Sequence, residues 1–295
     1  MAKIGMPNCS VASLLWSDSL DIAIKNRFDA FEINMFYPSV NLDCINPMEI
    51  EKARVKAEKA DLEICVHSPP FEINIGAFYQ GLRDESVNYV SKSIDFCSKI
   101  GGNVIIVHSG AYTYSHPEGV TRHNNGRLKT QWDNNIESLK KINGYAEQKG
   151  ITVCLENMFG RSIDKSFEDL IEIRDAVGES LKYTFDIGHA RLKEENGIKK
   201  GLSLLKDNIR HIHFTDNKGV NDDHLQIGDG NTDYSDIMDF IKDFPYVVTL
   251  EVIHNSSDPS KIIKSREYFN SLKDKKLTKG ERQTIIVAGS ANIEA

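Results

Sequence analysis

Histidines and carboxylates recur at the ends of short apolar runs along this chain. His67 closes "EICVH", His108 closes "NVIIVH", and Glu156 stands near the end of "TVCLEN". Asp186 lies in "YTFDIG" with His189 just beyond it, His213 in "IRHIHF", and Glu251 in "VVTLEVI". The polar stretch 211–231, "HIHFTDNKGVNDDHLQIGDGN", adds Asp222 and His224. Imidazole mixed with carboxylate suits zinc, manganese or iron, whereas so many nitrogen donors disfavour calcium. A carboxylate set in an apolar strand is costly unless something neutralises it, and a cation does so most simply. One strand-end histidine alone reads as a satisfied core residue, and Glu156 alone as an internal ion-pair partner. Repetition of the pattern over consecutive strand ends points instead to a metal centre. His213 is preferred to His211, which shares its strand face but lies about 6.6 Å deeper. His116, His123 and His254 read as surface residues. Asp223 reads as a solvated loop charge, and Asp229 as another or as a turn residue in "GDGN".

The elements that must position these groups follow from the same apolar runs. They fall at 3–6, 30–35, 63–67, 103–108, 152–157, 183–188, 209–214 and 247–253, and amphipathic stretches such as 82–100 and 131–149 lie between them. Gly101-Gly102 and Gly150 stop a helix where the next strand should begin. Strands alternating with helices argue for a parallel sheet, and eight such units for a closed α/β (β/α)8 TIM barrel. A doubly wound open sheet is the alternative, but it would want a Gly-rich phosphate loop that "MPNCSVAS" does not supply. In a barrel, chemistry sits at the C-terminal ends of the strands, where the nine residues fall. The expected organisation is a single barrel domain over 1–275 and a C-terminal tail, 276–295, with the apolar patch "TIIV". "GDGN" reads as the turn that starts the next helix, and the long polar loop 111–130 as the specificity element.

Composition narrows the class. Of 295 residues, 40% are hydrophobic and 27% charged, as in an ordinary globular protein. A net charge of −7 gives no global basic field to attract nucleic acid. The N-terminal stretch lacks the apolar core of a signal peptide, and no stretch approaches the roughly 20 apolar residues of a membrane span. Five scattered cysteines without a Cys-x-x-Cys pair read as buried free thiols in a reducing cytoplasm.

Taken together, "VHSPPFEINIG", "VIIVHSG", "LENMFG", "FDIGHARL", "HIHFTDNKG", "DDHLQIGDGN" and "LEVI" resemble the xylose-isomerase-like TIM-barrel superfamily. That superfamily holds the sugar isomerases and epimerases and the endonuclease IV proteins. The resemblance implies that Glu156, Asp186, His213 and Glu251 match the ligands of a single-metal epimerase. It also implies that His67, His108, His189, Asp222 and His224 match the five further ligands with which endonuclease IV proteins hold three zinc ions. Departures exist on both sides. Phe71 stands where endonuclease IV proteins carry a tyrosine, Ile187-Gly188 where they carry Thr-Cys, and Asp223 where they carry an arginine. Ser162 and Gly219 occupy positions where epimerases commonly place a glutamate and an arginine.

Three functional readings result. The first is a divalent-metal-dependent isomerase or epimerase acting on a small sugar or sugar phosphate. In it Glu156 and Glu251 remove and return a proton, His189 orients the substrate, and Arg161 and Arg191 bind its phosphate or sugar oxygens. The second is an endonuclease IV-like phosphodiesterase that uses several zinc ions on abasic DNA, which would make nucleic acid a partner. The third is a non-catalytic metal-binding barrel. The cofactor expected is one to three divalent ions, zinc or manganese.

Overall fold

In a computed structural model of the chain, residues 2–274 are described except 37, 115, 116 and 118. Eight parallel strands close on themselves in sequence order, β1 pairing with both β2 and β8. They are β1 (Lys3–Pro7), β2 (Ala30–Asn34), β3 (Glu63–His67), β4 (Val104–Val107), β5 (Thr152–Glu156), β6 (Lys182–Asp186), β7 (Ile209–Phe214) and β8 (Val247–Leu250). All eight coincide with the apolar runs of the sequence to within a residue or three, and the (β/α)8 barrel expected from them is the fold. Around it lie α1 (Trp16–Lys25), α2 (Pro47–Lys59), α3 (Gln80–Ile100), α4 (Gly126–Gln148), α5 (Phe167–Val177), α6 (Ile187–Lys193), α7 (Gly197–Leu205), α8 (Ser235–Ile241) and α9 (Ser260–Asp274). The tail 276–295 and His116 lie outside the described residues.

Local chemistry sets these boundaries. Asn46 caps α2 with Pro47 in its first turn, and Ser166 with Asp169 forms a reciprocal capping box on α5. Gly101 ends α3 in the left-handed conformation, as the Gly101-Gly102 signal predicts. Asn125 caps α4, so the helix begins at Gly126 and the polar loop is shorter than 111–130.

Side chains alternate between the two faces of each strand. Phe31, Ile33, Ile64, Val66, Ile105 and Val107 belong to the main core with the helices. Inside the barrel the residues are small: Ala30, Cys65, Val104, Ile106, Cys154 and Val247 form a separate buried cluster. Glu32, Thr184, His211 and Thr249 add a polar level at two-residue steps along four of these strands. One further step brings Asp186, His213 and Glu251 to the barrel mouth.

Candidate metal centre

The ladder register assembles the mouth. Asp186 on β6 lies directly opposite His213 on β7, and His213 lies opposite Thr249 on β8. Glu156, at the end of β5, is only 1% exposed and stands at the middle of the group. Its Oε2 is 3.2 Å from His67 Nε2 and 3.1 Å from His108 Nε2. Its Oε1 is 3.1 Å from His213 Nδ1 and 3.2 Å from His189 Nδ1. Four imidazoles thus face one carboxylate. His213 Nδ1 also sits 3.2 Å from Glu251 Oε2 and 3.9 Å from Asp186 Oδ2. On the outer side, Asp222 Oδ2 lies 3.1 Å from His189 Nε2 and 3.0 Å from His224 Nε2.

All nine residues singled out in the sequence therefore meet at one place, in three neighbouring sets of which two share Glu156, while Glu32, His211 and His213 form a further set beneath them. The three are His67–His108–Glu156, Glu156–Asp186–His213–Glu251, and His189–Asp222–His224, each with its donor atoms within 4.8 Å of one another. Bonds of about 2.1 Å put two ligands of one ion at most about 4.2 Å apart, so each set needs only a small closure to hold a cation. Two carboxylate oxygens need such a partner. Asp186 Oδ2 and Asp222 Oδ1 are buried with no hydrogen-bond partner, which is costly for polar atoms in an interior. The donors are imidazole and carboxylate throughout, a set that fits divalent transition-metal ions.

Neighbouring groups fix which nitrogen faces the centre. His67 Nδ1–H donates to the Ser68 carbonyl at 2.7 Å, leaving the Nε2 lone pair toward Glu156. His224 Nδ1–H points at the Glu251 carbonyl at 3.4 Å, leaving Nε2 toward Asp222. His213 Nε2–H donates to Glu32 Oε2 at 3.2 Å, which presents Nδ1 to Glu156, Asp186 and Glu251. Glu32 also accepts from His211 Nε2 at 2.9 Å and from Thr249 Oγ1 at 2.8 Å. His211 is thus a supporting residue below the centre, as its depth implies.

Without cations the site is a dense net of charge. Burial alone would raise the Glu156 carboxyl, but the imidazoles of His213 and His108 outweigh it and hold it well below the usual range. Asp186 goes the other way, raised to about 6 by burial, with Glu156 and Glu251 adding to the effect. Burial lowers His108, which favours the neutral, ligating form. For His224 burial works downward, but Glu251 and Asp222 prevail and lift it to about 9.

The connecting loops have their own logic. Asp186 caps α6, its Oδ1 accepting the His189 N–H at 2.6 Å. His189 is therefore in the first turn of a helix that begins directly after the strand. The reason is the capping spacing Asp-x-x-His. Gly188 is required there, because a Cβ would come within 2.5 Å of Thr215 Oγ1, which itself donates to Asp186. Asn157 clips β5 to β6 through both the N–H and the carbonyl of Asp186. "GDGN" also differs from expectation, since α8 starts only at Ser235. Instead, the N–H groups of Gly228 and Gly230 both donate to buried Asp216, each at 2.9 Å. This folds the loop that carries Asp222 and His224, and His224 adopts a positive φ of 43° within it. Arg191 belongs to the same loop support, its guanidinium donating to the Asn217 carbonyl and to Thr232 Oγ1. Arg161 is exposed, as are His123, Asp223 and Asp229, while His254 is half-buried.

Sequence reasoning missed Glu32. It carries the same signal that marked Glu156 and Glu251, an acid inside an apolar strand ("AFEIN"), but it lies on β2, outside the run of strand ends considered. Asn157, Thr215 and Asp216 gave no such signal, because their roles are hydrogen bonds set by tertiary contact.

The family described as "Xylose isomerase-like TIM barrel" matches residues 20–272. An uncharacterized protein of Methanocaldococcus jannaschii is 29% identical over 241 residues, 80% of this chain and 78% of that protein. A probable endonuclease 4 of Aquifex aeolicus is 26% identical, over 70% of this chain and 77% of its own. Among solved structures, a D-tagatose 3-epimerase-like protein is 26% identical with a TM-score of 0.77, covering 94% of this chain and 100% of that one.

Proposed function

The chain belongs to the xylose isomerase-like TIM-barrel family, and from that membership we propose that it is a divalent-metal-dependent hydrolase that cleaves a phosphoester. The observation that carries this reading is the surrounding of Glu156. A carboxylate that removes a proton from a sugar carbon needs an oxygen free to reach it, whereas both oxygens of Glu156 face imidazoles, two on each. Such a carboxylate would serve instead as a ligand common to two of the sets. Asp222 and His224 support the same reading, because an epimerase with one ion has no need of them.

Several divalent cations at this mouth would draw charge from phosphoryl oxygens and activate water. In this reading Glu156 spans two ligand sets and holds their spacing. Asp186, His213 and Glu251 form the deep wall, and His189, Asp222 and His224 the outer one. His108 and Asp222 have the most exposed side chains of the nine, at 21% and 26%, so substrate would enter over them. Glu251, at the rim of the deep set, is the carboxylate proposed to hold the proton of the attacking water. Arg161 is proposed to meet the substrate's anionic oxygens from the exposed lip.

A second reading, a sugar or sugar-phosphate epimerase using one cation, is favoured by the 26% identical D-tagatose 3-epimerase-like structure. There Glu156 and Glu251 would exchange the proton. Assays on zinc- or manganese-loaded protein separate the two. Hydrolysis of bis-aryl phosphate or of an abasic-site duplex, lost by more than about 100-fold in both Glu156→Gln and Asp222→Asn, supports the hydrolase. Ketose epimerisation that survives Asp222→Asn overturns it.

A further inference from the structure

Beside the metal centre runs a groove of about 1300 Å³ whose walls come from the loops after β2, β3 and β4 and from the start of α3. Its aromatic lip is turned to solvent: Phe71, Tyr79 and Tyr114 are 72%, 77% and 59% exposed. Large exposed aromatics gathered in one concavity mark a binding surface more often than an accident of folding. The loop carrying Phe71 is stiffened by Pro69-Pro70 and holds Glu72 at a positive φ of 65°.

The groove adjoins the segment that carries His67. Pro69, in its wall, follows the ligand-set residue His67 by two positions, at most about 7.6 Å along the chain. Met35, in its floor, donates its N–H to the His67 carbonyl at 3.0 Å. A molecule anchored at the cations therefore has the groove within reach of its other end.

Size and charge narrow what that end is. The volume exceeds the roughly 300–1,000 Å³ of pockets that enclose a drug-sized ligand, so a bare sugar phosphate leaves most of it empty. Among its charged lining residues Asp43, Glu72 and Glu85 are acidic and only Arg127 is basic. A nucleic-acid backbone would bring further phosphates against that acid, where binding needs Lys and Arg. An uncharged flat ring meets no such repulsion and stacks on Phe and Tyr.

We propose that this groove is a subsite for a planar aromatic group borne by a small phosphoester, as in a nucleoside monophosphate whose phosphate lies at the metal centre. The proposal rests on the phosphoester reading above.

Calorimetric titration of the zinc-loaded full chain with adenosine 5′-monophosphate, ribose 5-phosphate and adenosine tests it. The monophosphate is expected to bind at least about 10-fold tighter than ribose 5-phosphate, the worth of one base stacked on an aromatic side chain. Phe71→Ala with Tyr79→Ala, both at exposed positions, should erase that preference, with an unchanged melting temperature showing intact folding. Equal affinity for the two phosphates in the wild type overturns the aromatic subsite and leaves the phosphoester reading standing. Adenosine binding that the double substitution abolishes, together with no binding of ribose 5-phosphate, upholds the subsite and removes the phosphoester reading. A wild-type dimer that the double substitution converts to monomer would make the groove an interface between chains and overturn the proposal.

Discussion

Glu32 shows how one buried residue can govern a site it does not line. Its Oε2 takes the Nε2–H of His213, and a carboxylate in that position fixes the ring and strengthens its other nitrogen as a donor. Glu32→Gln preserves the shape and one acceptor but removes the charge. The expected result is a 10- to 100-fold loss of metal affinity, read by competition with a coloured chelator, at nearly unchanged fold. Unaltered affinity would mean that His213 needs no such support. Seven of the nine residues were legible in the sequence because successive strand ends repeated the same chemistry, and Asp222 and His224 because the loop after β7 is dense in such groups. Glu32 displayed the same acid-in-apolar-strand signal one level deeper, and only the register between strands tells that a side chain on β2 meets one on β7. Asn157 and Asp216 were not legible at all, since an asparagine or aspartate after a strand is ordinary until its hydrogen-bond partners are known.

At the scale of elements, the alternation of apolar runs with amphipathic stretches was sufficient to number the strands and close the barrel. The loops at the mouth were less transparent, because their shape comes from buried polar contacts between segments far apart in sequence. Lys193, at the end of α6, pairs with Asp164 at 3.0 Å, with side chains only 2% and 0% exposed, and also donates to the Met158 carbonyl. This ties the loop after β5, with Glu156 at its root, to the helix that carries His189. Removing one partner of a buried pair leaves the other uncompensated, so Lys193→Met should destabilise the protein by about 3–5 kcal/mol. A denaturant titration checks this, and a loss below about 1 kcal/mol would show that the tie is incidental. The "GDGN" turn illustrates the same limit. Its glycines look like a helix start, yet their N–H groups converge on the Asp216 carboxylate.

For the whole molecule, protons and cations compete for one set of nitrogens. In the metal-free protein the carboxylates keep His189 and His213 protonated well above the ordinary histidine value, and His224 up to about 9. Because these folded values exceed the unfolded value near 6.5, their stabilisation is complete below about pH 6.5 and is lost as pH rises through the folded values. The metal-free protein should therefore melt lower at pH 9 than at pH 6. Cation binding has the opposite sign, since each ligating imidazole must first lose its proton. Apparent metal affinity should climb from pH 6 through about pH 9, where His224 titrates, with protons released at pH 7. Titrations in two buffers of different ionisation enthalpy measure that release, and identical heats would contradict it. The central claim is that the nine residues form a multinuclear centre. The most direct test is elemental analysis of the purified chain after saturation with zinc or manganese and removal of free ion. The three sets formed by the nine residues predict a ratio of about three ions per chain; saturation at one ion per chain would contradict the account.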